Sequence, residues 1–228
     1  RLNNLNRFFR SIQKYHYLFN EIIIIDSSDY EIKKDIKKKF LNNKKIKIFD
    51  SKPSTSIQRN IGLKKFNKKN KFIMFCDDDI VFNNNAILNM DKFIKKKPSF
   101  IGYGFNLIEK DNNTFIERFK KSKLFSNYNL YSGIPGTVCN NGWHTKISNI
   151  SRETKAMWLS TQASVYRVSY LNNSKFNTGL GNYSYLEDLF FSYNLYKKGG
   201  LVICHSAKYK HPNNIDRTDY NFGKQEFI

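Results

Sequence analysis

Two short apolar runs end abruptly in aspartate: EIIIID at residues 21–26 and KFIMFCDDD at residues 71–79. Runs of this length, bounded by polar residues, fit strands covered on both faces. Elsewhere in the first half the apolar spacing is helical. Leu2, Leu5, Phe8, Phe9 and Ile12 share one face, and in residues 29–40 Ile32, Ile36 and Phe40 recur every four positions. A strand follows at 45–50 (KIKIFD), then a helix over 56–67 with Ile57, Ile61 and Phe66 apolar. After the acidic run come a helix over 85–96, built on Ile87, Met90, Phe93 and Ile94, and a strand at 99–105 (SFIGYGF). Strands separated by helices of this length predict an α/β fold with right-handed crossovers and a mostly parallel central sheet flanked by helices.

Beyond residue 106 the pattern weakens. Residues 107–163 carry Asn, Ser, Gly and scattered aromatics without clear periodicity, and end in AMWLST. A strand over 163–170, a helix over 186–198 and a strand over 201–205 complete the reading. No repeat or low-complexity linker divides the chain, so a single domain over 1–228 is expected, with halves at 1–106 and 107–228.

Composition narrows the function classes. With 40% hydrophobic and 16% aromatic residues in 228, the chain can bury a core and disorder is not expected. No apolar run approaches the roughly 20 residues that span a bilayer, and the polar, helix-patterned start does not read as a secretory signal. Cys76, Cys139 and Cys204 lie far apart without CxxC spacing, which argues against a disulfide scaffold or zinc site and for a reducing cytosol. The 39 basic and 19 acidic residues give a net charge of +20. Such a charge suits nucleic acid, an anionic membrane face or a phosphate-bearing substrate. Yet Lys33, Lys34, Lys37, Lys38 and Lys39 fill the outer faces of an ordinary solvated helix. The lysines also accompany abundant Asn and Ile, as in a general compositional bias.

The candidate chemistry lies at the strand ends. Asp26 closes the first apolar run, and Asp77, Asp78 and Asp79 close the second. In open α/β sheets, ligands bind outside the carboxyl ends of the strands, so both acidic sets face one mouth. Three adjacent carboxylates repel one another; a Mg²⁺ or Mn²⁺ ion removes that cost and takes oxygen ligands of this kind. An exposed acidic turn is the competing reading. Arg59, in SIQRNIG, offers a planar fork suited to a cation-bridged diphosphate. Glu187 and Asp188 open the amphipathic helix LEDLFFSYNLYKKG, where a carboxylate can take a proton from an attacking hydroxyl or simply complement the helix dipole. His211, after LVICHSAKYK, is a neutral imidazole able to join carboxylates around Mn²⁺. His16, His144 and His205 have no comparable context and read as structural.

In their order EIIIIDSSD, SIQRNIGLKK, FIMFCDDDIVF, WLSTQASVYRVS, YLEDLFFSYNLYKKGG and AKYKH, these segments resemble the family 2 glycosyltransferases of the GT-A fold, from about residue 2 to about 217. The resemblance implies a nucleotide-binding half over 1–106 and an acceptor-binding, catalytic half over 107–228. It implies that Asp26 contacts the nucleotide base and Arg59 the nucleotide or its phosphates. Asp77 to Asp79 would form the DxD-type element, with Asp79 a direct metal ligand, Asp77 beside it and Asp78 near the ribose. Asp188 would be the catalytic base of an inverting transfer, Glu187 would stand on the acceptor side, and His211 would complete the metal site. Trp158, Thr161 and Gln162 would line the sugar and acceptor pocket. The implied partners are a nucleotide-diphosphate sugar, Mn²⁺ or Mg²⁺, and a glycan or lipid-linked acceptor of surface polysaccharide synthesis. The implied location is the cytoplasm at the inner membrane face, and no nucleic acid is expected. Family members usually carry one more strand ahead of the first helix, which is absent from the sequence as it starts here. Two other readings compete. A sugar nucleotidyltransferase would need a glycine-rich basic phosphate loop, and none is visible. A basic nucleic-acid-binding module would interleave its lysines with aromatics in a recognition motif, and these lysines lie on helix faces.

Overall fold

The computed structural model describes residues 2–40, 42–109, 128, 130–180 and 186–211. The expectation that the resemblance reaches residue 217 therefore extends beyond the described residues. Five α-helices are described: α1 (Leu2–Ile12), α2 (Tyr30–Phe40), α3 (Thr55–Lys65), α4 (Ala86–Lys96) and α5 (Glu187–Tyr196). The strands are β1 (Ile22–Asp26), β2 (Ile46–Asp50), β3 (Phe72–Cys76), β4 (Val81–Phe82), β5 (Gly102–Leu107), β6 (Thr154–Ala156), β7 (Ala163–Arg167) and β8 (Leu201–Lys210). Single 3₁₀ segments follow α1, at Gln13–Leu18, and β7, at Val168–Tyr170.

The α/β class with helices flanking a central sheet is the fold observed. Strand pairing is mixed where a mostly parallel sheet was expected. The pairs β1–β2 and β5–β8 are parallel, whereas β3–β7, β5–β7, β4–β8 and β6–β8 are antiparallel. The reversal follows from connectivity: parallel neighbours need a crossover, which α2 supplies between β1 and β2. Strand β7 instead returns from the long excursion after β5 and pairs with both β5 and β3. The larger sheet runs β3-β7-β5-β8-β4 with β6 beside β8, and β1-β2 form a separate pair.

Side-chain alternation in β1 and β3 defines the layers. Ile22, Phe72, Met74 and Cys76 pack into the core that contains Ile12, Ile87 and Met90, on the α1 and α4 side. Ile23, Ile73 and Phe75 join the opposite core with Leu63, Phe66, Phe191 and Leu195, on the α3 and α5 side. Ile24 turns to Leu5, Ile36 and Phe40, where α1 and α2 lie side by side. These are the period-2 faces of strands between two helical layers.

Strand β8 is the long one. Its first half pairs in parallel with β5 up to Phe105–Cys204, and the register then jumps to Asn106–Lys208. Asn106 is fully buried and fills the break: Nδ2 donates to Ile150 O at 2.8 Å and His205 O at 2.9 Å, and Oδ1 accepts from Ile150 N at 2.9 Å. The bulge re-aims the second half of β8 onto β4, with Val81 opposite Lys210. This brings His211 back beside the end of β3.

Candidate active site

Strand β3 delivers its three aspartates just past Cys76, and the Asp77 amide still donates across to Gln162 O at 3.1 Å. The side chains of Asp77, Asp79 and His211 converge, with one potential ligand atom from each lying within 4.8 Å of the others. His211 Nε2 stands 3.2 Å from Asp79 Oδ1. Burial pushes the Asp77 carboxyl above its ordinary value; the Arg59 guanidinium pulls it down, while Asp79 and Asp78 push it further up. The cluster is thus short of positive charge. Two carboxylate oxygens and one imidazole nitrogen are hard or borderline donors of the kind that Mn²⁺ and Mg²⁺ accept, so this donor set fits a divalent cation.

Arg59 extends from α3, whose N-cap is Ser54, with its hydroxyl accepting from Ile57 N. The guanidinium forks. One nitrogen donates to Asp77 Oδ1 at 2.7 Å and the other to Glu187 Oε1 at the start of α5. The Phe176 ring lies beneath it, 5.7 Å away. Glu187 is 8% exposed and also accepts from the Thr161 hydroxyl at 3.4 Å. Arg59 and Glu187 therefore spend their charge on each other and on Asp77, so the ion pair joins the end of β3 to the start of α5.

Asp188 is the next residue on α5. Burial raises its carboxyl above the ordinary value, while Arg59, the Leu189 amide, the Ser160 hydroxyl and His144 each lower it. Leu186, just ahead of α5, has φ of +63°. A leucine in the left-handed region is uncommon, and strain of this kind gathers at functional sites. Asp26 ends β1 at 2% exposure; its Oδ1 accepts from the Ser28 amide and hydroxyl, while its Oδ2 is buried without a hydrogen-bond partner. Asp26, Arg59 and Asp77 to Asp79 line one cavity.

The structure thus brings together Asp26, Arg59, Asp77, Asp78, Asp79, His211, Glu187 and Asp188. Thr161 and Gln162 lie at the same mouth, and Gln162 Oε1 accepts from Tyr209 at 3.1 Å. Trp158 is more interior: it is buried, its Nε1 donates to Thr145 O at 3.1 Å, and the His144 ring meets it edge-on at 5.0 Å. Sequence reasoning passed over two neighbours of Asp188. Ser160 stood unremarked beside Thr161, and His144 sat in an aperiodic segment with no pattern to single it out.

The family model for glycosyl transferase family 2 matches residues 1–173. Solved structures share the fold at low identity. GalNAc-T7, solved with UDP, GalNAc and Mn²⁺, aligns with a TM-score of 0.63 and 14% identity over 93% of this chain and 42% of its own. The S. aureus TarS 1–349 structure with UDP aligns with a TM-score of 0.58 and 14% identity over 91% of this chain and 57% of its own. The chain therefore spans roughly half the length of these structures. No curated protein sequence matches it. The matched family model covers the first acidic strand end, the arginine helix, the aspartate triplet and the Trp158–Gln162 stretch, and on that ground the chain belongs to glycosyl transferase family 2.

Proposed function

We propose that the chain transfers a sugar, with inversion at the anomeric carbon, from a nucleoside-diphosphate donor to a hydroxyl of a glycan or lipid-linked acceptor in surface polysaccharide synthesis. The observation that carries this reading is the convergence of Asp77, Asp79 and His211 at the end of β3. Asp77, Asp79 and His211 would hold Mn²⁺ or Mg²⁺. When bound, such an ion supplies Lewis-acid charge to the diphosphate oxygens.

The other groups orient the reactants and move the proton. The unpartnered Oδ2 of Asp26 can accept an N–H of the nucleotide base, and Asp78 would contact the ribose. UDP, the nucleotide present in both neighbouring structures, is the donor nucleotide to test first. The acceptor oxygen bonds to the anomeric carbon as the sugar–phosphate bond breaks on the opposite face. The hydroxyl proton passes to the Asp188 carboxylate, and the nucleoside diphosphate departs. Arg59 keeps Asp77 and Glu187 in position. Thr161, Gln162, Glu187 and Trp158 shape the sugar and acceptor pocket. The net charge of +20 supports docking at the anionic cytoplasmic face of a membrane, where lipid-linked acceptors reside. Flotation with anionic liposomes tests that part.

The metal reading is tested by calorimetry of UDP in Mn²⁺. Asp79→Ala is expected to weaken binding by roughly tenfold or more while leaving melting behaviour intact. Unchanged affinity would remove Asp79 from the metal site.

A further inference from the structure

Residues 124–145 contain no Asp, Glu, Lys or Arg, although such residues make up 25% of the chain, and no other uncharged stretch is as long. What this stretch exposes instead is apolar. Ile134 is 60% exposed, Trp143 44% and Leu130 40%, with Tyr128 at 69% two positions ahead. Large side chains left in water on one short segment mark a contact surface, where single exposed ones need no explanation.

The backbone holds these side chains out on a braced loop. Val138 and His144 bridge antiparallel, and the Cys139 amide donates to Trp143 O at 2.7 Å. Gly142 closes the turn with φ of +83°, its amide donating to Cys139 O at 2.9 Å. Asn141 then pins the earlier segment alongside: Nδ2 donates to Leu130 O at 3.1 Å, and Oδ1 accepts from Trp143 N at 3.0 Å. The Thr145 hydroxyl donates to Ile134 O at 2.5 Å. The Tyr131 and Trp143 rings stand 6.4 Å apart. Leu130, Tyr131, Ile134 and Trp143 therefore form one patch. It adjoins the acceptor pocket, because His144, next to Trp143, meets Trp158 edge-on at 5.0 Å.

The chemistry of the patch selects its occupant. A glycan needs placed polar groups for its hydroxyls, but the Asn141 amide is spent on the loop's own backbone and the aliphatic Leu130 and Ile134 offer none. A stable protein interface takes about 20–30 residues a side, far more than this loop supplies. Trp and Tyr beside Leu and Ile suit the boundary between headgroups and acyl chains. An uncharged tip on a body of net charge +20 is also complementary to an anionic leaflet. We propose that the loop over 130–145 docks on a lipid bilayer, seating Leu130, Tyr131, Ile134 and Trp143 at the headgroup–acyl boundary of an anionic leaflet. Resting on the lipid-linked acceptor of the proposed function, this docking turns the acceptor pocket towards the leaflet that carries it.

The experiment needs no nucleotide, metal or acceptor, so its outcome is separate from that of the transfer itself. The chain has two tryptophans, and Trp158 is buried, so a change in emission on docking reports Trp143. The probe is vesicles of phosphatidylcholine with about one-third phosphatidylglycerol. On their addition the emission is expected to shift to the blue, and acyl chains brominated near the headgroup should quench it. Trp143→Phe should still float with the vesicles but show neither signal. The double variant Leu130→Ser/Ile134→Ser should melt as the parent does and bind the vesicles at least roughly tenfold more weakly. Flotation with emission unshifted and unquenched would overturn the proposal, leaving docking by charge alone. So would a double variant that floats as well as the parent, or a blue shift with soluble maltohexaose and none with vesicles, which would assign the patch to a glycan. A dimer in solution that the double variant dissolves would assign it to a second copy of the chain.

Discussion

In the proposed transfer, Arg59 and Asp188 set the chemistry at the scale of single residues, with Asp188 as the base. A buried base is useful only when ionised, and Asp188 is pushed upward by burial while Arg59 and His144 pull it down. The rate is therefore expected to fall as pH drops through a value above the ordinary aspartate range. In Arg59→Gln the largest lowering charge is gone, so the acid limb of kcat/KM should move to higher pH; a pH–rate profile with the limb unmoved would detach Arg59 from Asp188. Asp188→Asn cannot accept the proton at any pH. It should lose about 10²–10⁴-fold in kcat with calorimetric affinity for UDP retained, whereas near-normal turnover would assign the base elsewhere. Asp77 and Asp79 were legible in the sequence because strand ends are marked by where apolar runs stop, whereas His211 stood out only as a lone imidazole beyond the strand expected over 201–205. The Arg59–Glu187 pair was not: its partners are 128 positions apart, and nothing in either neighbourhood encodes the other. Trp158 shows the same limit, since its tie to Thr145 O depends on a segment without periodicity.

Among the elements, β8 has the largest effect on the site. At its bulge, His205–Ala207, Asn106 donates to His205 O and exchanges two hydrogen bonds with Ile150, tying the bulge to the neighbouring segment upstream of His211. Asn106→Leu keeps the volume but leaves buried backbone groups unpaired, at about 1–3 kcal/mol each. Melting should drop by several degrees, about 2–4 °C per kcal/mol in a chain of this size, and Mn²⁺ affinity should fall with it. A variant that melts normally and binds Mn²⁺ normally would show that the bulge holds itself. The helices and the strands β1, β2 and β3 matched their sequence expectations closely because their periodicities were complete. Strand β8 was expected to stop at residue 205 and runs to Lys210. The bulge interrupts the apolar run, and the continuation alternates buried Ala207 and Tyr209 with exposed Lys208 and Lys210. The antiparallel return of β7 was hidden by residues 107–163, whose sequence carries no element signal to indicate direction.

For the molecule as a whole, the acids of the site sit inside a strongly cationic body. The +20 charge acts at long range on any anionic donor, and the Debye length of about 8 Å at physiological salt limits that reach. The donor kcat/KM should therefore fall steadily as sodium chloride is raised, with kcat little changed, and a flat salt profile would confine the charge to an inert surface. The forked guanidinium adds a constraint that distance alone would not impose. Because one side chain moors both banks of the cleft, the proposed transfer implies that the Michaelis constants for donor and acceptor are not independent quantities. Variation at that position is then expected to shift both together, entangling the two substrates kinetically through a single cation.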